Sequence, residues 1–312
     1  MLKRIDPLIA LIILAVIVAI FAPARGEFAS AFSVATSIAI ALLFFLYGAR
    51  LSTHEALEGL RNWRLHLTIL AFTFVVFPLI GVGLTPLQAV VGREMYLGIL
   101  YLTLVPSTVQ SSVAFTSIAR GNVAGAIVSA SASNIAGVFL TPLLVMLLMS
   151  AQVSIDTSVF LDIAVQLLLP FILGQLLRPW VGKFAANKAT KLVDRGSITM
   201  VVYSAFSAGM VAGIWSSVGV AQIVFLVLGS IALVALMLWF TRFAALRLGF
   251  SRSDMIAIQF CGTKKSLASG LPMAAVIFGS ANLGLLILPL MIFHQVQLMM
   301  CSWLAARYAK ES

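Results

Sequence analysis

Acidic side chains are scarce in this sequence. There are ten among 312 residues, against twenty lysines and arginines. Histidine occurs three times and cysteine twice. His54, His66 and His294 are scattered, Cys261 and Cys301 both lie in apolar runs, and no HExxH, CxxC or acidic metal cluster is present. Neither a disulfide framework nor a structural metal site is expected from such a set. An intramembrane enzyme needs a convergent catalytic group, and no His, Asp and Ser combination falls within the apolar runs.

What is present is apolar. Hydrophobic residues make up 62% of the chain and charged residues 10%, with a mean hydropathy of +1.11. A soluble domain carries about 45–50% apolar and about 25% charged residues. The expected fold class is therefore an all-α polytopic membrane protein, with lipid as its surroundings. A β-barrel would show short alternating segments, whereas these runs are continuous. The net charge of +10 does not point to nucleic acid, because the basic residues are spread along short loops as topology signals are. No protein partner is implied either, and no soluble domain is expected, since the longest loop, about 178–195, is too short.

At about 20 residues per crossing, ten spans can be read, approximately 7–24, 31–49, 66–88, 95–119, 122–150, 158–177, 196–217, 220–246, 253–278 and 281–306. The first follows Lys3 and Arg4 and ends in FAPAR, which superficially resembles a signal peptide. Nine further spans favour a retained helix. With a cytoplasmic N-terminus, sixteen of the twenty basic residues fall on the cytoplasmic side, and only Arg25 and Arg93 on the other. That asymmetry fits an even number of spans with both termini cytoplasmic. Ten spans divide into halves of five joined at AQVSIDTS (151–158). Five is odd, so the second half would enter inverted, a common transporter plan.

The remaining two basic residues, Lys264 and Lys265, lie inside the ninth span in FCGTKKSLASGLP. Charge at membrane depth costs roughly 2.5 kcal/mol or more on insertion scales. Gly262, Gly270 and Pro272 suggest a broken helix there. The fourth span is interrupted correspondingly by VPSTVQSSVAFTS (105–117). Paired interruptions at matching positions point to a midplane site, where unwound carbonyls can hold a cation and half-helix N-termini an anion. Candidate residues of this crossover and of substrate contact are Pro106, Ser107, Thr108, Asn134, Gly262, Thr263, Lys264 and Lys265. Blander readings stand beside this. Pro106 serves as an ordinary kink, the serines of SASASN (129–134) as helix-packing residues, and the lysines as side chains that snorkel to the interface.

PSTVQSSVAFTSIARGNVAGAIVSASAS (106–133), FCGTKKSLASGLPMA (260–274) and LPLMIFHQVQLM (288–299) together resemble the bacterial branch of the bile acid:sodium symporters, over nearly the whole chain. The resemblance implies ten helices in two inverted five-helix repeats. A panel domain would take residues 1–50 and 157–217, and a core domain 65–150 and 220–307. The fourth and ninth spans would break and cross in the core, with two sodium ions behind the crossover. It implies sodium-coupled symport of bile acids or similar amphipathic organic anions by alternating access.

The sodium residues carry over only in part. The family's ninth-span glutamine matches Gln259, but the glutamate four residues before it is replaced by Met255. Sodium needs hard oxygen ligands, and a thioether is a soft, weak acceptor. Asp254 is one residue off, about 100° around a helix. Ser112 matches the crossover serine, and Thr73 a span-three glutamine. Ser129 and Ser133 are offset from the fifth-span hydroxyls. The carbonyls of Met255 and Ile256 complete the ion set. Met255 is either an engineered replacement or the mark of a branch without ordinary sodium coupling. Both readings leave the sodium sites impaired. The alternatives are a proton-coupled organic anion transporter, or a cation/proton antiporter of the same fold. Either needs a titratable core acid, and only Asp162 and Asp254 lie near spans. A passive channel is a further possibility that the broken, paired helices disfavour.

Overall fold

The computed structural model describes residues 7–50, 62–149, 164–211, 213, 218–279 and 283–311. Among them all regular structure is helical and no strand occurs. In chain order the longer helices are α1 (Pro7–Phe21), α2 (Gly26–Arg50) and α3 (Trp63–Gly83), followed by α4 (Arg93–Leu104), α5 (Gln110–Ile118) and α6 (Val123–Met149). The second part of the chain holds α7 (Leu169–Leu176), α8 (Arg178–Ala185), α9 (Lys191–Val211) and α10 (Val220–Arg247). It ends with α11 (Arg252–Gly262), α12 (Leu267–Phe278) and α13 (Leu283–Tyr308).

Five of these are long and apolar enough to cross a membrane, namely α2, α3, α6, α10 and α13, and a sixth crossing results if α7 and α8, bent by 104°, are counted as one span. The other predicted spans take different forms. Span 7–24 gives the 15-residue α1. Spans 95–119 and 253–278 are each divided into two shorter helices. Span 196–217 falls on α9, whose first turn carries Lys191 and Asp194. The 151–158 junction, the start of span 158–177 and Asp162 lie outside the described residues. The basic stretch after residue 177, read from sequence as loop, begins with the helix α8. Pro179 sits in its first turn, where a missing N–H costs nothing.

Proline also explains two widened stretches. A π turn covers Phe72–Val76 within α3, just before Pro78, and another covers Ala164–Leu168, just before Pro170. A proline clashes with the carbonyl four residues back, and a π turn relieves the clash by shifting the register. In α3 this has a consequence for one carbonyl. The Phe77 amide bonds to Phe72 O. In that register the next amide would bond to Thr73 O, but residue 78 is proline and has no N–H.

The chain divides into two compact units. The first comprises Met1–Leu51, Val153–Val218 and Leu271–Leu285. In it α2 packs on α7 and α1 on α9. Two glycines set the α2–α7 approach. A Cβ on Gly48 would overlap Phe171 O, and one on Gly174 would overlap Phe45 O. Small residues let helices in lipid come this close and gain dispersion contact. At the end of α2, Arg50 donates to Ala185 O (2.8 Å), Asp194 Oδ2 (2.7 Å) and Thr190 Oγ1 (2.8 Å), tying that end to the α8–α9 connection.

The second unit comprises Ser52–Gln152, Gly219–Gly270 and Leu286–Ser312. In it α11 packs against α10, α5, α6 and α3. Ser251 caps α11 by accepting the Asp254 amide at 3.2 Å. The turn before α6 is left-handed at Arg120 (φ 56°). Asn122 then caps α6 through the Gly125 amide at 2.8 Å. Leu79, Leu147, Leu228 and Trp239 are exposed. Such residues would cost about 25 cal/mol per Å² against water but nothing against lipid tails.

Candidate functional site

The site is built from two places where helices stop. Proline restricts the residue before it to extended backbone, and Val105, before Pro106, has ψ 156°. Helix α4 therefore ends at Leu104, and α5 does not begin until Gln110. Helix α11 likewise ends at Gly262, and α12 begins at Leu267. The unwound residues 105–108 and 263–266 are buried. Backbone groups buried without partners would each cost several kcal/mol in this setting.

The two breaks satisfy each other. Ser266 N donates to Pro106 O at 2.7 Å, and Ser107 Oγ to Cys261 O at 2.5 Å. Helix α6 supplies the rest. Ser107 N donates to Ser133 Oγ (3.0 Å), and Asn134 Nδ2 to Ser107 O (2.8 Å). Asn134 Oδ1 accepts from Ser269 Oγ at 2.6 Å, and Thr141 Oγ1 donates to Leu104 O at 2.9 Å. Thr108 Oγ1 lies 2.8 Å from both Ser111 Oγ and Ser112 Oγ, and Ser112 Oγ donates to Phe260 O at 3.1 Å. Pro106, Ser107, Thr108, Ser112, Ser133 and Asn134 thus form one network with the α11–α12 break. This is more than a proline kink, and Ser133 and Asn134 do more than pack.

Both lysines are fully buried, which excludes snorkelling. Lys265 Nζ donates to three main-chain carbonyls, Thr73 O (2.8 Å), Thr103 O (2.8 Å) and Val105 O (2.9 Å), with the Phe77 ring centroid 4.3 Å away. All three of its protons are used, so it offers nothing to a substrate anion. The Lys264 ammonium lies 3.9 Å from the Phe115 ring centroid and 5.6 Å from that of Phe260, without a hydrogen-bond acceptor among the described residues. A desolvated cation over an aromatic face gains about 2 kcal/mol. Thr263 closes α11, its hydroxyl 3.3 Å from that of Thr241.

The remaining ion candidates go elsewhere. Gln259 Nε2 donates to Leu238 O (2.8 Å), and its Oε1 accepts from Tyr308 OH (2.9 Å). Ser129 Oγ is 2.6 Å from His66 Nδ1, and Thr73 Oγ1 donates to Ile69 O at 2.8 Å. Met255 and Ile256 are buried within α11. The set contains no carboxylate, and its side-chain oxygens already serve internal bonds, so it fits a sodium ion poorly. No group of three or more His, Cys, Asp or Glu comes together among the described residues. Asp254 accepts from Asn122 Nδ2 at 2.6 Å in the first turn of α11, which puts it at a helix end rather than among the core residues.

Sequence reading missed Gln297. It is fully buried on α13 and clamps the backbone of the break: its Oε1 accepts from Lys265 N and its Nε2 donates to Lys265 O, each at 2.8 Å. Its signal was present as one of three polar residues, with His294 and Gln295, in the largely apolar run LPLMIFHQVQLM. Tyr101 was missed as well, and its OH donates to Gly270 O at 2.7 Å.

In the first unit a cavity of about 230 Å³ is lined by Ser33, Ser37, Gln166, Ser204 and Gly279, among others. Its polar lining is uncharged. It is smaller than the roughly 300–1,000 Å³ of sites that enclose drug-sized molecules.

Comparison with known proteins places this chain among transporters. The model of the SBF-like CPA transporter family matches residues 6–310. The chain is 50% identical over 306 residues to an uncharacterised protein of Pseudomonas aeruginosa, covering 96% of this chain and 91% of that one. It is 46% identical over 314 residues to YfeH of Escherichia coli, provisionally named a symporter, covering 99% and 95%. It is 30% identical over 282 residues to sodium/bile acid cotransporter 7-B of Xenopus laevis, covering 86% and 80%.

Proposed function

Because the chain belongs to the SBF-like CPA transporter family, we propose that it is a secondary active transporter for amphipathic organic anions of bile-acid type, working by alternating access with sodium coupling impaired at Met255. Membership makes it a transporter and not an enzyme, multi-pass in a membrane. The finer reading is ours. It takes ten spans in two inverted five-helix halves, a panel of residues 1–50 and 157–217, and a core of residues 65–150 and 220–307. It places the protein in a bacterial inner membrane with both termini cytoplasmic.

The observation that carries this reading is the mutual bonding of the two helix breaks through Ser266, Pro106, Ser107 and Cys261. Unwound backbone at membrane depth is tolerated where protein satisfies it or where it serves a translocation site. Here the unwound carbonyls of Val105 and Pro106 accept from Lys265 and Ser266 of the other break, that of Ser107 from α6 and that of Lys265 from α13, so within the second unit the two breaks, α6 and α13 are bonded to one another. A body held this way moves rigidly, as alternating access requires. The substrate shifts its orientation only by binding one state better than the other. The names of the animal relatives support a bile-acid-like anion as substrate. The Met255 thioether and the internally committed Gln259 support impaired sodium coupling.

The test is taurocholate uptake into proteoliposomes, with and without an inward sodium gradient, for this chain and for Met255→Glu. The expected result is uptake by both proteins, with a sodium response in the Glu variant alone. Absence of taurocholate uptake by either protein under every gradient would reject the substrate class.

A further inference from the structure

Lys265 holds an arrangement that the transport reading leaves unexplained. Three main-chain carbonyl oxygens converge on one ammonium, and each is an orphan for an identifiable reason. Thr73 O has lost its helical partner because Phe77 N turns to Phe72 O and residue 78 is proline. Thr103 O would accept from residue 107 in a continued helix, but Ser107 N is turned to Ser133 Oγ. Val105 O lies in the extended segment that Pro106 imposes. Two prolines on two helices thus free three oxygens that face one point. Carbonyl oxygens set around a buried point, with the negative end of α4 behind them, are the donor chemistry of a monovalent cation site in membrane proteins.

We propose that these three carbonyls form a cation site and that Lys265 is its tethered occupant, a covalently held ammonium in place of an ion from solution. The observations are of two independent kinds. One is the convergence of backbone oxygens that no helix needs. The other is the cost of filling the site with a lysine, whose fully buried head has only main-chain carbonyls, and no carboxylate, bonded to it among the described residues. A neutral residue with a hydroxyl or amide could cap carbonyls at far lower cost, as Thr141 does for Leu104 O. The Phe77 ring, 4.3 Å from the ammonium, adds the cation–π attraction that suits a positive charge. Gln297 then fixes the tether, holding both Lys265 N and Lys265 O at 2.8 Å.

This deepens the transport reading and rests on it for its consequence. A site filled by its own chain needs no ion to close. Sodium then has no site of this kind to act on.

The experiment is thermal unfolding of the detergent-purified full chain in sodium chloride, choline chloride and propylammonium chloride at matched ionic strength. The wild-type chain is expected to melt at the same temperature in all three. Lys265→Ala is expected to melt about 5–10 °C lower in choline and to recover at least half of that loss in sodium or propylammonium, which enter the vacated site. Lys265→Met, which keeps the stem and loses the charge, should fall similarly and recover less. The proposal is overturned if sodium alone raises the wild-type Tm, a measurement that needs no variant to fold. It is overturned equally if Lys265→Ala is destabilised to the same extent in all three salts, the behaviour of a lysine that only caps helices. Failure of taurocholate uptake with these salt responses intact would reject the substrate class and leave the tethered cation standing.

Discussion

The amide of Ser266 donates to the carbonyl oxygen of Pro106 at 2.7 Å, so each unwound segment completes the backbone of the other. Proline has no N–H to give in return, and the exchange is balanced by the Ser107 hydroxyl, which donates to Cys261 O. A single misfit at this junction therefore disturbs both helix breaks at once.

Ser107→Ala tests that junction. The substitution leaves the buried Cys261 O without this donor, and an unsatisfied buried group costs about 1–3 kcal/mol. We expect a clear loss of Tm and of uptake rate. Ser111→Ala, at a half-buried hydroxyl whose partner is Thr108 Oγ1, is expected to cost less than about 0.5 kcal/mol. Equal Tm values for the two variants would mean that the Ser107–Cys261 bond contributes nothing.

Gln297→Leu removes both bonds that hold the Lys265 backbone, at nearly constant volume. The buried Lys265 amide and carbonyl are each left short of a partner, so the loss should exceed that of Ser107→Ala, at about 2–4 kcal/mol. Gln297→Glu keeps an acceptor for Lys265 N and loses the donor to Lys265 O, and should fall between. Melting curves of the three proteins in detergent check the order, and a Leu variant as stable as wild type would refute it.

The helix breaks were legible in the sequence because proline and glycine write them directly. Pro106 ends α4, and the GTKKS stretch between two apolar runs ends α11. Ser107, Thr108 and Asn134 stood out in the sequence because small polar residues inside apolar runs need partners, whereas Ser112 was singled out as an ion candidate. The destination of the Lys265 ammonium was not legible, because its partners are main-chain atoms of Thr73, Thr103 and Val105, and side-chain patterns carry no record of which carbonyls lack a donor. Pro78 was the available clue, since a proline inside a helix always orphans a carbonyl one turn earlier. The partners of Gln259 were hidden for a different reason. Leu238 and Tyr308 lie far off in sequence, and their register against α11 is set by packing.

The α2–α7 contact predicts a sharp asymmetry between glycines. Gly48→Ala and Gly174→Ala would each push a methyl into a backbone oxygen on the facing helix, where no side-chain rotation can relieve it. The helices must separate, and overpacking of this kind costs about 1–3 kcal/mol or more. At Gly229, within α10, an added methyl group would meet nothing within 4 Å. Gly229→Ala is expected to be neutral or to stabilise by up to about 1 kcal/mol, because alanine loses less backbone entropy. Expression yield and Tm of the three variants check this, and a tolerated Gly48→Ala would sink it.

Arg50 predicts a difference between two cations of the same charge. Its guanidinium reaches Ala185 O, Asp194 Oδ2 and Thr190 Oγ1 at once, from three nitrogens in a fixed plane. A lysine ammonium keeps the charge but presents one nitrogen on a different stem length, so it retains the Asp194 pair and loses at least one other bond. The pair itself is partly exposed, so its Coulombic share is small and screened by salt. Arg50→Lys should therefore cost about 1–2 kcal/mol, nearly independent of salt. Asp194→Asn, which removes charge and keeps an acceptor oxygen, should cost less and show the stronger salt dependence. Urea melts at low and high ionic strength separate the two, and a larger loss for Asp194→Asn would show that charge, rather than the three-way geometry, holds this end of α2.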